Sequence, residues 1–229
     1  MLKLPQFIAH ACGGINSIYY TNSTEALEVA YQNGLRFIEI DILTCSDDEY
    51  VLLHDWQQTS EKLFGSTGQK SLSEFKKLSM VGDYSQQSLA EFCLWLRNHP
   101  DCYLVTDCKD LTNEAFAQYI IKNFPDLVAQ IIIQIYEFAE YEKLRNLGFK
   151  QLIFATYRIN NNSAEIITYL KDKEFLAVAM SKTRAQQGLA KQVKAKLDLT
   201  TIVFTINTLE ELQEYQKLAI DSCFTDFLY

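Results

Sequence analysis

A single α/β domain closed as a (β/α)8 TIM barrel is the fold this sequence predicts, on three observations. Apolar runs of strand length alternate with longer amphipathic stretches, the pattern of parallel strands joined by crossover helices. The strand-like runs number eight, at 7–11, 36–42, 102–108, 130–135, 151–156, 174–180, 201–206 and 222–226. At 229 residues and 48% hydrophobic content, the chain can bury one large core of the size such barrels occupy.

Helical stretches follow nearly every strand, near 23–33, 86–98, 112–123, 138–146, 163–171, 184–196 and 208–218. Ser163 is the expected cap before Ala-Glu-Ile-Ile. Thr208 with Glu211 three residues on has the form of a capping box. Gly34 and Gly148 suit helix ends, where a left-handed residue is needed. The segment 56–85 is too long for an ordinary loop. It carries Leu63-Phe64 and an apolar stretch from Leu72 to Leu78, and it reads as a lid-like insertion at the barrel mouth. No Pro/Gly-rich linker or repeat divides the chain, so residues 1–229 are expected to form one domain.

A net charge of -8 argues against a broad surface for nucleic acid or anionic membrane, which needs clustered Lys and Arg. The six cysteines show no CxxC pairing, and several sit inside apolar runs, which fits free thiols in a reducing compartment. There is no basic leader and no long apolar stretch, so a soluble, cytoplasmic protein without stable membrane insertion is expected. Oligomeric state is not readable.

Chemistry concentrates near the N-terminus. His10 ends the first apolar run, Glu39-Ile40-Asp41 lies in the second, and His54-Asp55 follows Val51-Leu52-Leu53. Residues two apart on a strand share a face, so Glu39 and Asp41 stand side by side while Ile38, Ile40 and Ile42 point the other way. On a lone strand the acids would simply face water. In a barrel covered by helices they point inward at the C-terminal mouth, where active sites are built. Two buried carboxylates need a compensating cation, and oxygen donors favour Mg²⁺ or Ca²⁺. Asp107-Cys108-Lys109 repeats the spacing: Asp107 can complete the carboxylate set, and Lys109 can hold a phosphoryl oxygen. His10 and His54 have the near-neutral reference pKa that proton transfer requires, with Asp55 placed to orient His54. His99, in a polar turn before Pro100, is given no role.

In order along the chain, His10-Ala11-Cys12-Gly13, Asn22-Ser23-Thr24-Glu25-Ala26, Glu39-Ile40-Asp41, Thr44-Cys45-Ser46-Asp47-Asp48, Val51-Leu52-Leu53-His54-Asp55, Asp107-Cys108-Lys109, Phe204-Thr205-Ile206-Asn207 and Thr225-Asp226 match a known pattern. With these the chain resembles the glycerophosphodiester phosphodiesterases, within the phospholipase-C-like phosphodiesterase superfamily. The resemblance implies one divalent cation, Mg²⁺ or Ca²⁺, on Glu39, Asp41 and Asp107, and acid/base catalysis by His10 and His54. Lys109, Asn22 and Phe204 would then lie at the substrate, a small phosphodiester cleaved to glycerol 3-phosphate and an alcohol. The chain departs from the family where Ala11 stands in place of the usual arginine. Arg158 and Lys182, each just past a strand, are the candidate replacements. Phe204 stands where tryptophan is usual, and the third acid is Asp107 where the family has glutamate. These changes mark an outlying branch. Two alternatives stay open: a phospholipase- or lyase-like enzyme that forms a cyclic phosphate on a bulkier lipid or glycan phosphodiester, and a silent barrel that only binds a phosphorylated ligand.

Overall fold

The protein, a computed structural model describing residues 2–228, is a closed barrel. Eight parallel strands run β1 (Phe7–Ala9), β2 (Phe37–Thr44), β4 (Tyr103–Cys108), β5 (Ile131–Ile135), β6 (Leu152–Ala155), β7 (Ala177–Ser181), β8 (Thr200–Phe204) and β9 (Ser222–Thr225). They are hydrogen-bonded in that circular order, and β1 closes the ring by pairing with both β9 and β2. A short ninth strand, β3 (Tyr50–Leu52), was not expected from the sequence and pairs antiparallel with the end of β2. It turns the chain back so that His54 returns to the mouth.

Alternation along β2 sorts its side chains as expected. Ile38, Ile40 and Ile42 join the large core under the helices. Phe37 packs inside the barrel with Ile8, Val105, Ile132, Ile153, Ile202 and Phe224. Above this plug of apolar side chains the same inward face carries Glu39 and Asp41, both buried. The helices around the strands are α1 (Thr24–Gln32), α4 (Leu89–Arg97), α5 (Asn113–Asn123), α6 (Glu140–Asn146), α7 (Ser163–Leu170), α8 (Lys182–Gln186), α9 (Leu189–Leu197) and α10 (Leu209–Gln216).

Four local expectations need correction. The first strand ends at Ala9, not residue 11, because Ala11 and Cys12 turn left-handed (φ 48° and 68°). The stretch 184–196 is two helices, broken where Gly188 takes φ 87°. The cap of α7 is Asn162, one residue earlier than Ser163: its side chain accepts from the Ala164 and Glu165 amides, and Glu165 returns the bond. Thr208 does cap α10, accepting from the Glu211 amide, but the Glu211 carboxylate binds Lys182 at 2.6 Å.

The 56–85 insertion carries α2 (Gln58–Phe64), α3 (Leu72–Phe75) and a 3-10 turn, Val81–Asp83. Leu63, Phe75 and Met80 pack with Trp56 onto Leu43, Val51 and Leu53, a small core of their own beside β3. None of its residues lines the central cavity. Among the described residues no helix is long and apolar enough to cross a membrane.

Candidate active site

Strand register brings the acids together. Asp41 on β2 lies directly opposite Asp107 on β4, and Glu39 is two residues down the same inward face. One carboxylate oxygen from each of the three lies within 4.8 Å of the others. Burial and the neighbouring Asp41 charge push the Glu39 carboxyl above the usual carboxylate range. Burial would raise Asp41 too, but the Lys109 ammonium and then the His10 charge overcome it, so its carboxyl is held low.

Lys109 is the cation that this protein supplies for itself. Its Nζ lies 2.7 Å from Asp41 Oδ1 and 2.7 Å from Asp107 Oδ2. Asp41 Oδ1 is buried and has no hydrogen-bond partner among the described residues beyond this ion pair. Burial lowers the ammonium's affinity for its proton, but the Asp41 and Asp107 charges more than offset this and hold it charged.

Each acid is also fixed by neutral donors. Glu39 Oε2 accepts the Ala11 amide at 2.8 Å, which gives the left-handed turn after β1 a role. Ala11 thus contributes to the site through its backbone amide. Asn22, fully buried with φ 47°, donates to Asp41 Oδ2 at 2.9 Å and accepts the Asp41 amide at 3.1 Å. It braces Asp41 from beneath and does not line the cavity. Asp107 Oδ1 accepts from Tyr136 (2.6 Å), Tyr157 (2.8 Å) and Arg158 (3.0 Å). The Arg158 guanidinium also donates to the Cys108 carbonyl and lies 3.8 Å over the Tyr136 ring. Lys182, by contrast, is spent on Glu211, and neither it nor Arg158 lines the cavity.

The two histidines are oriented by acids of their own. His10 Nδ1 donates to Asp226 Oδ1 at 2.8 Å, and Asp226 Oδ2 in turn accepts from Asn207 at 2.7 Å. Burial opposes a charge on His10, but the Asp226 bond and the Glu39 charge outweigh it and raise its pKa to about 9. His54 Nδ1 bonds Asp55 Oδ2 at 3.0 Å. Asp55 is pinned by the Gln57 and Thr59 amides and the Thr59 hydroxyl. In both imidazoles the other nitrogen, Nε2, is left for the cavity. The Tyr20 ring stands edge-on between them, its centroid 4.7 Å from His10 and 4.8 Å from His54.

Sequence reasoning missed Tyr20, Tyr136, Tyr157 and the tie from Asp226 to His10. Thr225-Asp226 was visible only as a motif, because its partner is 216 residues away and barrel closure alone joins them. The cavity measures about 200 Å³ and is lined by His10, Glu39, His54, Asp107, Lys109 and Phe204, with Tyr20, Tyr157 and Phe224 among its other walls. Three buried carboxylates offering only oxygen, one atom of each within 4.8 Å of the others, fit a hard divalent cation.

Solved structures share this fold over almost the whole chain. A glycerophosphoryl diester phosphodiesterase from Parabacteroides distasonis is 19% identical, covering 98% of this chain and 84% of that one, with a TM-score of 0.74. A glycerophosphodiester phosphodiesterase from Thermotoga maritima is 17% identical, covering 99% and 96%, also with a TM-score of 0.74. A phosphodiesterase from Oleispira antarctica, in complex with its product sn-glycerol-3-phosphate, is 18% identical, covering 98% and 94%, with a TM-score of 0.73. No curated protein matches the sequence. Identities this low speak for the barrel alone, but the family model described as the glycerophosphoryl diester phosphodiesterase family matches residues 14–229. The chain belongs to that family of phosphoric diester hydrolases.

Proposed function

We propose that this protein hydrolyses a glycerophosphodiester to glycerol 3-phosphate and an alcohol, using a divalent cation and the His10/His54 pair. The observation that carries this is the meeting of Glu39, Asp41 and Asp107 between two acid-oriented imidazoles at the barrel mouth. Glu39, Asp41 and Asp107 would hold Mg²⁺ or Ca²⁺, which when bound offsets charge developing on the phosphoryl oxygens. Lys109 Nζ, on the floor between Asp41 and Asp107, is within reach of the same oxygens once the acids are otherwise compensated.

The imidazoles divide the proton transfers, one taking the nucleophile's proton at Nε2 and the other returning a proton to the leaving alkoxide. Asp226 and Asp55 fix the tautomers by engaging Nδ1, so that Nε2 carries the chemistry. Phe204 and Tyr20 wall the cavity beside the two imidazoles. Six buried, unpaired thiols favour work in the cytoplasm.

The test is incubation with glycerophosphocholine, glycerophosphoethanolamine and glycerophosphoglycerol, with Mg²⁺, Ca²⁺ or a chelator, following glycerol 3-phosphate. Cation-dependent release that His10→Ala and His54→Ala each abolish is expected. Turnover surviving both substitutions would overturn the acid/base assignment. A cyclic phosphate product would point to the lyase, and tight ligand binding without turnover to a silent barrel.

A further inference from the structure

Beside the catalytic cavity, on the same C-terminal face, lies a second one of about 530 Å³. It is formed by the loop after β6 and by the end of β7 with the start of α8. We propose that it is the subsite for the leaving alcohol, and that this alcohol is uncharged and rich in hydroxyls, a polyol. The inference rests on the phosphodiesterase reading above and names its substrate class.

Tyr157 connects the two cavities. It lines both, its hydroxyl donates to Asp107, and the residue is 41% exposed. An ester with its phosphoryl group at the acids and its glycerol in the smaller inner cavity directs its other substituent past this ring. The outer cavity is where that substituent arrives.

The chemistry of the outer walls selects the ligand. Asn160, Ser163, Thr183 and Gln187 line it, and their side chains make no hydrogen bond to the rest of the described chain. Amides and hydroxyls both donate and accept, as does each hydroxyl of a polyol, so the two sets can satisfy one another. The charges that would favour another class are absent or occupied. Arg184 braces the loop by donating to the Asn161 and Ile159 carbonyls at 2.9 and 2.5 Å, which commits its guanidinium to backbone. The Ala164 and Glu165 amides at the start of α7 are taken by the Asn162 side chain and are not open to an anion. No Asp or Glu lines the cavity, and Tyr157 is its one aromatic ring. A quaternary ammonium or amine head group would find neither a carboxylate nor an aromatic cage.

Steady-state kinetics on four esters tests this: glycerophosphoglycerol and glycerophosphoinositol against glycerophosphocholine and glycerophosphoethanolamine, with saturating divalent cation. The polyol esters are expected to have kcat/KM about tenfold higher, the discrimination a few neutral hydrogen bonds provide. Asn160→Ala, Thr183→Ala and Gln187→Ala should each lower the polyol-to-choline ratio about two- to fivefold, through KM and not kcat. Equal turnover of all four esters, a preference for choline, or variants that leave the ratio unchanged would overturn the subsite and leave the phosphodiesterase standing. Silence on all four esters would overturn both.

Discussion

His10 Nδ1 lies 2.8 Å from Asp226 Oδ1, joining the turn after the first strand to the residue after the last. This bond crosses the seam where the barrel closes, so the same contact that orients an imidazole also ties the two ends of the fold together.

The first prediction follows from its electrostatics. Burial lowers the His10 pKa, but the Asp226 bond and the Glu39 charge outweigh it and bring it to about 9, above the ordinary value near 6.5. A group whose pKa is raised on folding contributes stability that is full below its unfolded value and is lost as pH rises through its folded value. Cation-free wild type should therefore lose its advantage over Asp226→Asn between about pH 6.5 and 9. Urea midpoints at pH 6, 8 and 10 measure it, and a constant gap would contradict the linkage. Activity of Asp226→Asn should drop at least about a hundredfold, because the amide no longer holds the tautomer.

A second prediction concerns Lys109, whose ammonium is 2.7 Å from both Asp41 and Asp107. Lys109→Met leaves those buried carboxylates facing one another. Removing one partner of a buried ion pair costs about 3–5 kcal/mol. Melting in chelator should fall accordingly, and saturating Mg²⁺ or Ca²⁺ should restore most of the loss. An equal loss with and without cation would show that metal and ammonium do not share the same charge-balancing task.

How much of this was readable beforehand depends on the range of the interaction. Glu39 and Asp41 were legible because period-two alternation is a local property of a strand, and the surrounding isoleucines fix which face is buried. Asp107 and Lys109 were legible by the same rule applied once more. The Asp107 cage was not, since Tyr136 and Tyr157 follow β5 and β6, and only curvature of the sheet turns their hydroxyls onto β4. Tyr20 was hidden for another reason: it takes φ 62° in a loop where Asn16, Ser17 and Asn22 are also left-handed, a path no propensity announces. Arg158 could be nominated for the missing arginine by position. That it is engaged with Asp107 and Tyr136 required the fold.

A third prediction uses the Glu39 carboxyl, which burial and the Asp41 charge push up so that the cation-free site retains a proton at higher pH than an ordinary carboxylate. Cation binding must expel that proton. Affinity should climb with pH through the neutral range, by up to about tenfold per unit, and level off once Glu39 ionises unaided. Calorimetry in two buffers of different ionisation heat would count the proton released. Affinity independent of pH from 6 to 8 would refute a protonated Glu39.

The last prediction separates the Tyr20 ring from its hydroxyl. The ring stands edge-on to both imidazoles, 4.7 and 4.8 Å away, and each such contact is worth about 0.5–1.5 kcal/mol beyond burial. The hydroxyl makes no hydrogen bond to any described residue. Burial, reinforced by the Asp41 and Glu39 charges, pushes its pKa up to about 12, so it stays protonated at neutral pH. Tyr20→Phe keeps both ring contacts and should retain kcat within about threefold. Tyr20→Ala frees His10 and His54 to turn away from the acids and, on the proposed acid/base roles, should lower kcat by ten- to a hundredfold, roughly the cost of misplacing two catalytic groups. If Tyr20→Phe were as damaged as Tyr20→Ala, the hydroxyl would be the active part, and the ring would be no more than its support.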